Sequence, residues 1–221
     1  HKREKFKLAC VPYNENEIPK EHPEKKFDVI YWGGLHSQEH LAILEAIREF
    51  KSNFFTIHPQ NWTVQMDQNS WHRYINQLSG VGVPHRQLWA TLARTKVFVS
   101  TNILPLRAEH VASIKTVPYW ERNEAFSHVD QMIAPQMKTR AFAAAFNKSL
   151  NLIKRDPWNV IENWFEPDVD FIYFDKYEEL PMILKEVNNN WSDYEGMINS
   201  AFEKAEKAYT CQKLFVRMSG E

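Results

Sequence analysis

Short apolar runs constrain this chain more than any other feature. Phe27–Trp32 reads FDVIYW, and similar runs follow at residues 53–58 (NFFTIH), 96–100 (KVFVS), 149–153 (SLNLI) and 171–174 (FIYF). Continuous apolar text of this length is how a strand covered on both faces reads, and such strands belong to parallel sheets. Helical text separates them. Residues 38–50 carry an apolar face at Leu41, Leu44, Ala46 and Ile47, Pro84 and His85 open a helix through Ala93, and residues 137–146 are rich in alanine and long apolar side chains. Further helices are expected at residues 71–78, 178–188 and 193–217. This alternation predicts an α/β domain with a doubly wound, mainly parallel, Rossmann-like sheet flanked by helices over residues 27–221. Residues 1–26, charged and proline-bearing, read as a linker or lead-in.

Composition removes several functions. With 27 basic and 28 acidic residues the formal charge is −1, so no broad positive field draws nucleic acid. No apolar run approaches transmembrane length, which excludes a membrane span from the reading and points to a cytoplasmic chain. Cys10 and Cys211 have no metal-ligand spacing and read as free thiols of a reducing compartment, with a single terminus-to-terminus disulfide as the alternative. There is no P-loop, GxSxG or HExxH text. Eight Trp, eight Tyr and fourteen Phe fit either a packed core or aromatic platforms for sugars and bases.

Two stretches carry candidate chemistry. After FDVIYW come Gly33 and Gly34, then His36 and the N-cap candidate Ser37. Strand, glycine turn and helix allow backbone to approach a phosphate, although tight βα turns also use glycine without a ligand. The second stretch is APQMKTRAFAAAF, where Pro135 opens a helix and Lys138, Thr139 and Arg140 occupy its first turn. Basic residues oppose the helix dipole there, and a bound anion removes the conflict. Thr101 and Asn102, just past KVFVS, fall where open α/β sheets bind ligands. Residues 104–131 form an unusually long connection that either packs or shapes a pocket, with Arg107, His110, Tyr119, Trp120 and Arg122 as its polar and aromatic candidates. Asp168 and Asp170 form a DxD that holds a hard cation in some enzymes and marks a turn before a strand in others.

Taken together, PQMKTRAFAAAF, the apolar strand after it, ENWFEPDVDFIYFD, the EEL helix start and KAYTCQKLF resemble the C-terminal, donor-binding lobe of GT-B glycosyltransferases, in the family-1-like branch related to spore-maturation proteins. The resemblance implies a nucleoside diphosphate sugar as donor substrate, no cofactor and no metal ligands. It implies Lys138, Arg140 and His36 at the diphosphate, Gly33, Gly34, Thr101, Asn102 and Thr139 around the donor, and Val83 and His85 beside the base. A glycan or other acceptor would be the second partner, met through an N-terminal acceptor lobe or further domains of a longer protein. One position departs from the pattern. Ala143 stands where many retaining relatives carry a glutamate that holds the ribose hydroxyls. Two alternatives follow: a noncatalytic nucleotide-binding or assembly module, and a GT-A-type, metal-dependent glycosyltransferase using Asp168 and Asp170.

Overall fold

The computed structural model describes residues 13–56, 59, 62, 64–116 and 128–219. Its main sheet is built from β1 (Phe27–Trp32), β2 (Ser52–Thr56), β3 (Gly80–Val81), β4 (Thr95–Thr101), β7 (Leu150–Lys154) and β8 (Ile172–Phe174). All neighbours pair in parallel, in the order β3-β2-β1-β4-β7-β8. A two-stranded antiparallel sheet, β5 (Ile103–Pro105) with β6 (Ile133–Pro135), stands at the end of β4. The helices are α1 (Gln38–Ile47), α2 (Gln68–Asn76), α3 (His85–Ala93), α4 (Ala108–Lys115), α5 (Arg140–Phe146), α6 (Leu180–Asn189), α7 (Glu195–Ala208) and α8 (Cys211–Ser219).

Side chains alternate across the strands, and each face has its own core. Val29, Tyr31, Val97 and Val99 turn toward α1 and α6, meeting Ile43, Leu44, Leu184 and Val187. Ile30 and Phe98 turn the other way, toward Leu88 and Leu92 of α3, the run Ala141–Phe146 of α5, and Ala201 and Ala205 of α7. Alanines in α5 and α7 let those two helices approach closely. Covered on both sides, the inner strands are mostly apolar, which is the pattern that the sequence shows.

Three expected boundaries move. The helix expected from Pro135 begins only at Arg140, because Pro135 is held in β6 opposite Ile103 and the residues between form a loop. The long closing helix is two helices. At its break the Tyr13 backbone pairs with the chain, donating to the Tyr209 carbonyl (3.0 Å) and accepting from the Cys211 N–H (2.8 Å). Helix α1 ends at Ile47, three residues short of Phe50.

The described part of the lead-in lies on the domain. The Tyr13 ring packs against Trp89 and Phe146, with centroids at 5.3 and 5.4 Å. Lys25 Nζ donates to the carbonyls of Ala93 and Asn147 (2.9 Å each), at the C-terminal ends of α3 and α5. A cation there complements both helix dipoles. Cys211 is an exposed free thiol, whereas Cys10, Tyr119, Trp120 and Arg122 lie outside the described residues.

Candidate functional site

In the order β3-β2-β1-β4-β7-β8 the direction of winding reverses between β1 and β4. Their carboxyl ends therefore diverge into a crevice, which is where open α/β sheets hold ligands. A cavity of about 220 Å³ occupies it, lined by residues of the β1–α1 turn, the end of β4, β5 and the loop before α5. Gly33, Gly34, His36, Thr101, Lys138 and Arg140, all candidates from the sequence, meet there. Four other candidates, Val83, His85, Asn102 and Thr139, do not line it. His85 sits near the rim, its ring 6.3 Å from that of Trp32, with Nε2 accepting from Trp89 Nε1 (2.8 Å). Thr139 offers its carbonyl to the Tyr13 hydroxyl (2.7 Å).

The glycine turn is crowded. A Cβ on Gly33 would lie 2.8 Å from the Tyr31 hydroxyl and 3.1 Å from an Arg140 guanidinium nitrogen. One on Gly34 would meet the His36 ring at 2.2 Å. The turn is pinned below by the Gly33 N–H donating to the Phe55 carbonyl (3.0 Å) and by the Tyr31 hydroxyl donating to the Gly34 carbonyl (2.9 Å). Ser37 stands at the N-cap position of α1, but its hydroxyl faces His40 Nδ1 (3.3 Å) and makes no cap bond.

Asn102 governs the other wall. Fully buried, it accepts the Lys138 N–H on Oδ1 (3.2 Å) and the Gln136 N–H on its carbonyl (2.8 Å), fixing the loop that carries both cations. Lys138 Nζ donates to Gln136 Oε1, and an Arg140 Nη donates to the Trp32 carbonyl while the guanidinium lies 5.0 Å from the Trp32 ring centroid. Among the described residues neither cation forms an ion pair with a carboxylate.

The electrostatics follow from that. Desolvation, then the neighbouring Arg140, pulls the Lys138 ammonium down to about 8, and desolvation also lowers Arg140. Burial, then Lys138, Arg107 and Arg140, depress His36, while burial, then Lys138, His36 and Arg140, take His40 down to about 3. Among the described residues the crevice is thus positive and short of counter-charge. The free N–H groups expected at the head of α5 are largely spent, however. Those of Ala141, Phe142 and Ala143 already donate to the carbonyls of Lys138 and Thr139 (3.0–3.3 Å). Side chains, rather than the helix end, carry the positive charge.

Sequence reasoning missed Ser100 and His40, both 5% exposed and both lining the cavity. Ser100 Oγ has no hydrogen-bond partner among the described residues, a situation that costs about 1–3 kcal/mol in a buried polar group. Each sits within an otherwise apolar pattern, so only their shared cavity distinguishes them. Arg107 and His110 lie on the exposed start of α4, which buries none of its residues. Ala143 is fully buried in the core and offers nothing to a ribose.

The carboxylates of the DxD are elsewhere. The strands all run one way, so the turn leading into β8 lies at the opposite end of the sheet from the crevice. Asp170 is buried there and accepts from the Glu166 N–H (2.7 Å) and the Ser200 hydroxyl (2.7 Å) while pairing with Lys204. Asp168 is exposed and adopts a left-handed turn conformation (φ 60°). The pair therefore fits the turn reading, and its inner carboxylate is committed to α7.

Residues 38–218 match the glycosyl transferase-like family. The chain belongs to that family. No curated protein sequence matches it. Among solved structures, S. aureus TarM in complex with fondaparinux, alpha-GlcNAc-glycerol and UDP superposes with a TM-score of 0.54 at 8% identity, covering 96% of this chain and 37% of that one. The pneumococcal O-GlcNAc transferase GtfA in complex with UDP and GlcNAc gives 0.50 at 8%, covering 97% and 37%. The C-terminal domain of LpcC, a group 1 glycosyl transferase of Francisella tularensis, gives 0.51 at 9%, covering 91% and 97%. This member of the glycosyl transferase-like family thus has the Rossmann-like fold of GT-B glycosyltransferases. It spans a little over a third of the first two neighbours and nearly all of the third. Among its described residues no helix is long and apolar enough to cross a membrane.

Proposed function

We propose that this chain is the donor-binding domain of a glycosyltransferase that moves a sugar from a nucleoside diphosphate sugar to a glycan or other acceptor, without an obligatory metal. The observation that carries the reading is the pair of cations, Lys138 and Arg140, facing a glycine turn at the switch point, neither of them paired with a carboxylate among the described residues. A diphosphate supplies the missing charge. Family membership and the UDP bound to TarM and GtfA support the same choice.

In the reaction the bond between the anomeric carbon and the diphosphate breaks, and its electron pair leaves with the phosphate oxygen. Lys138 and Arg140 stabilise that growing charge in place of a metal ion. His36, depressed by burial and by Lys138, Arg107 and Arg140, is neutral in the empty site and donates a hydrogen bond to the same oxygens. Trp32 and His85 at the rim lie beside the base. The acceptor and its general base belong to a second lobe, because this chain matches only 37% of the length of the two-substrate neighbours.

Calorimetric titration with UDP, GDP and ADP, with and without Mn²⁺, tests the proposal. Binding of at least one diphosphate, unchanged by metal, is expected; no binding by any of them at millimolar concentration refutes it. One observation favours a second reading, a nucleotide-binding module without catalysis: the ribose-holding carboxylate of many relatives is here the buried methyl of Ala143. Tight binding with no turnover of any sugar nucleotide, in the presence of the acceptor lobe, selects that reading.

A further inference from the structure

We infer that Ser100 and His40 form a subsite for a hydroxyl of the donor's sugar, distinct from the cationic subsite for its diphosphate. The inference rests on the donor-binding reading above. Both side chains are more than nine-tenths buried, both line the switch-point cavity, and they reach it from different elements, the end of β4 and the first turns of α1.

Each presents an unused polar atom. Ser100 Oγ has no partner among the described residues. In His40 the backbone fixes the tautomer: the His36 N–H donates to Nδ1 (3.1 Å), so Nδ1 is an acceptor and the ring proton resides on Nε2. Nε2 has no hydrogen-bond partner among the described residues. Burial and the cations Lys138 and Arg140 keep the ring neutral, with the neighbouring His36 adding to the same effect. The cavity therefore offers one neutral donor and one hydroxyl that both donates and accepts.

Charge sorts the ligand between the two subsites. Phosphate oxygens go to Lys138 and Arg140, since charge-assisted bonds are roughly twice as strong as neutral ones. What remains for a neutral N–H and a hydroxyl is a group that accepts and donates without charge. A sugar hydroxyl has that chemistry. Buried polar groups that a correct ligand satisfies, and a wrong one leaves unpaired, are also efficient at discriminating between substrates. Ser100 and His40 are accordingly specificity-determining residues for the transferred sugar.

The test compares diphosphates with their sugar conjugates: UDP against UDP-glucose, UDP-galactose and UDP-N-acetylglucosamine, and GDP against GDP-mannose, by calorimetry on the unsubstituted protein and on two variants. Ser100→Ala removes the hydroxyl and, with it, an unsatisfied buried group, so the melting temperature should hold or rise. His40→Asn keeps an acceptor for the His36 N–H and removes the Nε2 donor. In the unsubstituted protein one conjugate should bind more tightly than its parent diphosphate. Each variant should erase about three- to tenfold of that gain, the worth of one neutral hydrogen bond, while leaving the diphosphate's affinity unchanged. Equal weakening of the diphosphate alone, survival of the gain in both variants, or no gain from any sugar overturns the subsite and leaves the donor site standing. Absence of all nucleotide binding to the unsubstituted protein overturns the donor site, and the subsite with it.

Discussion

The two ends of the sheet treat buried charge in opposite ways. At the β8 end, Asp170 is sealed from water and every demand of its carboxylate is met by Lys204, Ser200 and the Glu166 N–H. At the β1/β4 end, Lys138 and Arg140 are half-buried and, among the described residues, hydrogen-bond only to neutral oxygens of Gln136 and Trp32. A compensated charge ties α7 to the sheet. An uncompensated pair raises the energy of the empty site and returns that energy when an anion arrives. The contrast separates structural from functional charge more clearly than residue type does, since a DxD is the more familiar functional text.

Breaking the first end should produce the largest effect. Asp170→Ala removes three interactions of a buried carboxylate and should cost about 2–3 kcal/mol of stability, held to that level because Lys204 is partly exposed and regains water. A urea midpoint reads the loss, and nucleotide affinity in the folded fraction should not move. If affinity falls instead, the two ends are coupled and the contrast fails.

The converse pattern is expected at the crevice. Arg140→Ala should weaken diphosphate binding by about 1.5–3 kcal/mol, the range for a charge-assisted bond, with little change in the urea midpoint. Unaltered affinity in a folded variant removes Arg140 from the site.

The smallest effect sharpens the comparison through pH. Lys138 titrates near 8 in the empty site, lowered by burial and by Arg140. An anion prefers the ammonium, so binding is independent of this group below pH 8 and must draw a proton from solution above it. Affinity for UDP should therefore fall as pH rises, by about tenfold between pH 7 and 9, since each pH unit above the pKa costs up to a factor of ten. Lys138→Met should bind more weakly and lose this slope; an identical slope in the variant assigns the titration elsewhere.

Much of this arrangement is legible in the sequence. Apolar runs such as FDVIYW and KVFVS are self-sufficient evidence, because only a strand covered on both faces tolerates such text, and their alternation with helices leaves few topologies. Gly33, Gly34, Lys138 and Arg140 are legible for a similar reason: glycine after a strand and cations at a helix start violate local preference, and such violations collect at sites. Ser100 and His40 violate nothing that a linear reading detects. A serine at the end of a strand and a histidine on a helix are unremarkable until both prove to be buried and to line one cavity.

The sequence by itself thus determined the parallel α/β architecture, the glycine turn and the cationic character of the crevice, each written within a few adjacent residues. Tertiary structure alone decided where α5 starts, since Pro135 is captured by Ile103 across a hairpin. It also decided where the last helix breaks, at the backbone of Tyr13 nearly two hundred residues earlier in the chain, and which acid is structural, through Lys204 on a helix distant from Asp170 in sequence. The physical reason is range: propensity and periodicity act over one or two turns of chain, whereas charge compensation and hydrogen-bond satisfaction depend on which distant segments packing brings together.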